Sequence, residues 1–251
     1  MYDSIARYYD LTHAALTDDL TLLQQLAQQA NGPLLECGCG TGRILFPLAR
    51  TGFTITGIDN SDTMLAIAQE KLAQEAAPVQ ARITLVEGEM TQVNVDGRFA
   101  LIIIPYNTLL HLKPTQINQT FSSLRKHLAT NGRLYIDLIN PFAIAHTPND
   151  RMLTLEQSFT DPATGHTVLQ FASNWLDDVA QILHVTWLYD ATPLQGGPIH
   201  RTISQFSYHY LYPHQLEMRL QQTGFHIETM WGSYDRMPFS EESDRLILIA
   251  K

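Results

Sequence analysis

Leu34-Leu35-Glu36-Cys37-Gly38-Cys39-Gly40-Thr41-Gly42-Arg43-Ile44 decides the fold. The apolar run from Pro33 to Leu35 predicts a short buried strand, and an acid follows it. Gly38, Gly40 and Gly42 fall on alternate positions. Ile44, Leu45, Leu48 and Ala49 come next at helical spacing. Strand, tight glycine turn and helix form the entry unit of a nucleotide-binding α/β fold. Glycine is needed because the chain must turn sharply and bring its backbone close to a ligand, and a Cβ would obstruct both.

The spacing narrows the ligand. A dinucleotide fingerprint puts glycines at positions one, three and six. Counted from Gly38, the sixth position is Arg43, and the third glycine falls at position five. No Gly-Lys-Ser/Thr follows, which sets a P-loop aside. The pattern acid-x-Gly-x-Gly-x-Gly resembles motif I of the class I S-adenosylmethionine-dependent methyltransferases. The resemblance implies S-adenosyl-L-methionine as cofactor, with Glu36, Gly38, Gly40 and Gly42 among the residues that hold it.

Composition sets outer bounds. The chain has 251 residues, 45% of them hydrophobic, enough for a substantial core. Its formal net charge of −9 and lack of a Lys/Arg run argue against nucleic acid as the main partner. There is no run of 18 apolar residues to span a membrane. Met1-Tyr2-Asp3-Ser4 lacks the basic and apolar regions of a signal peptide, so a cytoplasmic location is expected. The two cysteines, Cys37 and Cys39, lie inside the glycine turn and read as small residues filling it, not as a zinc site or a disulfide.

Outward from the turn, residues 1–30 read as helical, with Ile5, Tyr8, Tyr9, Leu22, Leu23 and Leu26 at 3–4 spacing. Ile5-Ala6-Arg7-Tyr8-Tyr9-Asp10 resembles the aromatic N-terminal lid of the family, which makes Tyr9 a candidate for the cofactor's methionine end. Residues 53–58 predict the second strand. Asp59, 21 residues after Gly38, follows it, where an acid can accept hydrogen bonds from both ribose hydroxyls. Ser61 reads as the N-cap of a helix from Asp62 to Leu72. The family's Asp-x-Ser-x-x-Met pattern implies that Asn60 and Met64 lie near the adenine. A third strand over 82–86 leads into Glu87-Gly88-Glu89-Met90. There the resemblance implies adenine contacts from Glu89 and Met90, with Glu in place of the usual Asp.

Phe99 to Ile104 is a near-continuous apolar run, the mark of a central parallel strand buried on both faces. It ends in Pro105-Tyr106-Asn107-Thr108-Leu109-Leu110-His111. Tyr106 is expected on the cofactor. The resemblance puts His111 where related sugar N-methyltransferases carry a His beside the acceptor. With a reference pKa of about 6.5, it would suit a general base. A helix from Ile117 to Leu128 and a strand over 133–138 complete five β/α alternations. Asp137 and Asn140 alone are too little for a metal, and none is expected.

After Pro141 the texture changes. Four strand-like runs, 152–159, 167–176, 181–189 and 200–210, follow without helices between them. They predict an antiparallel insertion over the carboxyl edge of the sheet. Its large rings, Trp175, Trp187, Tyr208 and Tyr210, suit packing, an acceptor wall or a homodimer surface. Pro213 to Thr223 reads as a helix. Strands over 225–230 and 245–250 match the family's closing hairpin, in which strand seven inserts antiparallel between five and six.

The expected fold is therefore α/β. It is a Rossmann-like, seven-stranded, mostly parallel sheet flanked by helices, with an antiparallel β insertion between strands five and six. All of it forms one domain, divided as a lid (1–30), cofactor core (31–145), insertion (151–212) and C-terminal hairpin unit (213–251). The expected activity is methyl transfer from S-adenosylmethionine to a nitrogen or oxygen of a small molecule. Strand four ends Ile104-Pro105-Tyr106-Asn107, not in the Asp/Asn-Pro-Pro-Tyr signature of nucleic-acid and glutamine-amide methylation. A cofactor-binding protein without transferase activity is the main alternative. An NAD(P)-dependent oxidoreductase is disfavoured by Arg43 and by the lack of a Tyr-x-x-x-Lys motif.

Overall fold

The computed structural model describes residues 3–13 and 15–251. The reading of Met1 and Tyr2 as free of a leader lies outside them. Strands β1 (Leu34–Cys37), β2 (Ile55–Asp59), β3 (Ile83–Glu87), β4 (Phe99–Ile104) and β5 (Leu128–Ile139) alternate with helices and pair in parallel. Strands β6 (Leu153–Thr160), β7 (Thr167–Asp177), β8 (Ile182–Thr192) and β9 (His200–His209) form a separate antiparallel sheet. β10 (Ile227–Trp231) and β11 (Arg245–Ala250) return to the first sheet, giving the order β10-β11-β5-β4-β1-β2-β3. β11 is antiparallel to both neighbours, as the closing-hairpin reading requires.

Both faces of the large sheet are buried, which explains its continuous apolar strands. Ile102 and Ile104 of β4, with Leu134, Ile136 and Leu138 of β5, pack under helices Pro114–His127 and Pro213–Gln222. Leu101 and Ile103, with Tyr135, Ile247 and Ile249, face the other way, toward helices Asp18–Ala30 and Leu45–Arg50. Strand alternation alone assigns these two sets.

Two elements differ from their sequence reading. The first 30 residues are not one helix. A 3-10 turn, Asp3–Ile5, runs into helix Ala6–His13, and a second helix begins only at Asp18. Asp18 and Asp19 fill the first turn of that helix, where carboxylates meet the positive end of the dipole. β5 starts at Leu128, five residues earlier than expected. An irregular register between Phe99 and Leu101 accommodates the extra stretch. Gly132 permits it, since a Cβ there would come within 2.7 Å of the Phe99 carbonyl.

The antiparallel sheet covers the carboxyl ends of the parallel strands. Leu183, Val185 and Phe206 join the main core. Val168, Tyr189 and Ala191 pack with Ile5 and Tyr8 of the lid. Tyr8 stacks on Tyr189 at 5.0 Å and meets Phe159 edge-on at 5.9 Å. The lid is also tied to the parallel domain. Asp10 accepts from Thr41 Oγ1 at 2.6 Å and pairs with Lys71, and Ser61 Oγ donates to Asp3 at 2.6 Å. Helix 6–13 is thus held between the two sheets.

Candidate functional site

A cavity of about 450 Å³ opens at the carboxyl ends of β1 to β4, within the range of about 300–1,000 Å³ for small-ligand sites. The strand order sets its polarity. The turns after β2 and β3 lie on one side of the glycine turn, and the loop after β4 lies on the other. Of the expected site residues, Tyr9, Gly38, Gly40, Asp59, Asn60, Met64, Glu89, Met90, Tyr106 and His111 all line this one cavity. Glu36 and Gly42 do not.

The glycine turn is shaped by contact. Gly38 has φ +72°, and a Cβ there would lie 2.4 Å from Thr108 Cγ2. Gly40 has φ +53°, with Met64 Cε 3.2 Å from where its Cβ would be. Gly42 packs on Phe46, where a Cβ would come within 2.4 Å of the ring; its glycine serves the fold. Cys37 and Cys39 are buried, and burial pushes both thiols up, so they stay protonated fillers.

Asp59 stands at the centre of the polar end. Its Oδ2 accepts the Gly40 N–H at 2.7 Å and its Oδ1 accepts the Ser61 N–H at 2.9 Å. Burial raises its pKa against the pull of these donors. A carboxylate offers about four acceptor sites, so these backbone donors do not saturate it. Ser61 Oγ accepts the Met64 N–H at 3.2 Å, which makes it the N-cap of helix Asp62–Gln74. Asn60 Nδ2 donates to Glu89 Oε1 at 3.0 Å and joins the β2 and β3 turns.

Beneath the glycine turn, Glu36 is 2% exposed, and its Oε2 has no hydrogen-bond partner among the described residues. Burial pushes its carboxyl well above the usual range, with Arg43 pulling the other way. Arg43, read from sequence only as an obstacle to a dinucleotide, fastens the lid. It forks onto Asp19 at 2.9 and 2.6 Å and donates to the Leu16 carbonyl at 2.7 Å.

The opposite end is aromatic. Tyr106 and Asn107 take φ +39° and +67°, a strained pair for residues with side chains. Asp137 of β5 holds them there. Its Oδ2 accepts the Tyr106 N–H at 3.2 Å and the Tyr234 hydroxyl at 3.0 Å, while its backbone carbonyl accepts the Asn107 N–H at 2.9 Å. Arg245 of β11 donates to Asp137 Oδ1 at 2.9 and 2.6 Å and lies 5.2 Å over the Tyr106 ring. Asn140 caps helix Pro141–Ala145 through the Phe142 N–H and donates to three carbonyls of residues 240–243. Both residues are thereby committed to the fold.

Residues that sequence reasoning missed or left open complete this end. His13, which the helical pattern did not single out, stacks on Tyr9 at 4.1 Å. Trp187 and Tyr208 of the antiparallel sheet line the cavity. Trp175 instead stacks on His184 at 3.9 Å on the other face, and Tyr210 is buried in the core. The signal was the alternation of β8, which sets Trp187 on one face with Leu183 and Val185. His111 packs against Tyr208 at 5.0 Å and Phe206 at 5.6 Å.

Burial pushes the His111 imidazole down from 6.5 to about 4. It is neutral at neutral pH and weaker as a base than its ordinary value implies. Between pH 6.5 and 4 the unfolded chain holds the extra proton, so this contribution to stability is lost as pH falls across that window. His111→Gln removes the component. Its Tm is expected to drop less than the wild type's between neutral pH and the acid end of the window, by roughly 5 °C. Circular dichroism melts that stay parallel would contradict a buried neutral imidazole.

Residues 34–132 match a family model described as a methyltransferase domain. A Geobacillus sp. (strain WCH70) protein that carries a methyltransferase name is 32% identical over 160 residues, covering 61% of this chain and 63% of that protein. The chain thus spans under two-thirds of that relative's length. The CcbJ methyltransferase of Streptomyces caelestis superposes with a TM-score of 0.77 at 22% identity, over 93% of each chain. An S-adenosylmethionine-dependent methyltransferase of Clostridium acetobutylicum superposes at 0.81 with 15% identity, over 97% of this chain and 95% of the other. Residues 34–132 thus match a methyltransferase domain, and the whole chain shares the fold of these solved methyltransferases.

Proposed function

We propose that the protein transfers a methyl group from S-adenosylmethionine to a nitrogen or oxygen of a small molecule. The observation that carries this reading is convergence: the turns after β1, β2, β3 and β4 meet on one cavity. The name of the Clostridium relative, which gives its methyl donor, supports the cofactor. The residues present fit that group. Gly38 and Gly40 leave a cradle that a Cβ would fill. Glu36 holds an orphaned buried oxygen beneath it, suited to an ammonium.

On this reading Asp59 accepts the ribose hydroxyls. Asn60, Met64, Glu89 and Met90 bound the adenine. Tyr9 and Tyr106 flank the methionine end. The bound sulfonium supplies an already activated methyl group, so the protein's task is alignment and exclusion of water. Orientation of this kind is worth about 7–11 kcal/mol in favourable cases. The lid and the antiparallel sheet close over the aromatic end and serve both purposes. A small acceptor is favoured over nucleic acid by the net charge of −9 and by the roofed cavity.

Asp59→Ala tests the assignment. It removes two hydrogen bonds to a charged acceptor, each worth about 1.5–3 kcal/mol. The Kd for S-adenosylmethionine in calorimetry is expected to rise at least ~100-fold. An unchanged Kd would remove the role.

A further inference from the structure

The two ends of the cavity differ in charge as well as in shape. Its carboxylates, Asp3, Asp59 and Glu89, come from the lid's first turn and the turns after β2 and β3. The opposite end is bounded by rings from three separate elements: Tyr9 of the lid, His111 after β4, and Trp187 and Tyr208 of the antiparallel sheet. No Lys or Arg is among the described residues that line the cavity. The nearest guanidiniums, Arg43 and Arg245, back Tyr106 at 5.4 and 5.2 Å and are each paired with a carboxylate, Asp19 and Asp137.

We infer that this chamber takes an amine as methyl acceptor and holds the methylated ammonium product against its ring faces. The inference rests on the methyltransferase reading above and narrows it. An acceptor that carries a carboxylate or phosphate would meet no Lys or Arg among the described residues of the chamber. An alcohol or phenol must give up a proton as its oxygen attacks. The imidazole at hand, His111, is neutral but held near 4, far below a phenol's reference value of about 10. An amine that has released its proton to water before binding needs no base in the transfer itself. The nitrogen lone pair of R–NH2 forms the new N–CH3 bond. The C–S bond breaks, and its electron pair stays on sulfur as the neutral thioether of S-adenosylhomocysteine. The positive charge moves from sulfur to nitrogen, where aromatic faces attract it. The product R–NH2–CH3 cation then loses its extra proton to water.

The test uses the whole protein loaded with S-adenosylhomocysteine and three probes of one shape. These are choline, its uncharged carbon isostere 3,3-dimethyl-1-butanol, and the anion 3,3-dimethylbutanoate. Binding is followed by calorimetry and by the protein's NMR spectrum. Choline is expected to bind at least about tenfold more tightly than either of the others. Tyr208→Leu is expected to lose most of that preference while keeping its affinity for S-adenosylhomocysteine, and Tyr208→Phe to keep both. Equal binding of choline and the isostere, preference for the anion, or no saturable choline binding would overturn the inference while leaving the methyltransferase reading intact. Failure to bind S-adenosylhomocysteine at the outset would remove that reading, and this inference with it.

Discussion

Asp137→Ala is expected to cost the fold about 3–5 kcal/mol, the usual result of stripping one partner from a buried ion pair. Asp137 is fully buried and the Arg245 side chain only 13% exposed, so the guanidinium would be left without a counter-charge and with little access to water. The same substitution releases the Tyr234 hydroxyl and the Tyr106 N–H. Tyr106 and Asn107 then lose part of what holds their positive φ, and the loop that carries His111 is free to relax. At about 2–4 °C per kcal/mol for a chain of this size, Tm should fall by roughly 10 °C. Asp137→Asn keeps the shape and loses the charge, and should fall between. A thermal scan in which Asp137→Ala melts with the wild type would mean that the pair contributes nothing.

Gly38→Ala is expected to damage the site more than the fold. The added methyl would lie 2.4 Å from Thr108 Cγ2, and the backbone would have to keep φ +72°. The left-handed conformation costs about 1–2 kcal/mol, and overpacking adds about 1–3 kcal/mol. Thr108 begins the 3-10 turn Thr108–His111, so the strain pushes the β4 loop away from the glycine turn. Cofactor affinity should fall by at least ~30-fold, given a tenfold change per 1.4 kcal/mol. Gly88→Ala is the internal control, because a Cβ there meets nothing within 4 Å although Gly88 lines the same cavity. Equal losses in the two variants would contradict the steric account.

The two substitutions mark the boundary of what the sequence discloses. Gly38 is legible because its reason is local: a short buried strand, a turn and a helix follow one another between Leu34 and Arg50. Asp59 and Glu89 are legible in the same way, each at the end of an apolar run. Asp137 is legible only as an acid near a strand end. Its partner Arg245 lies 108 residues further on and reaches it only because β11 inserts antiparallel beside β5. Arg43 and Asp19 are another such pair, 24 residues apart. Glu36 sits in the expected motif but is buried and does not line the cavity. The rings of the antiparallel sheet could be sorted by strand alternation. Which face meets the cavity depends on how the two sheets pack, and pattern alone carries no information on that.

Calorimetry of the wild-type protein with S-adenosylmethionine, run beside NAD, bears most directly on whether these turns form one nucleoside site. A single saturable S-adenosylmethionine site per chain, abolished or much weakened in Asp59→Ala and indifferent to NAD, is the expected result. No saturable heat from S-adenosylmethionine, or equal binding of NAD, would contradict it.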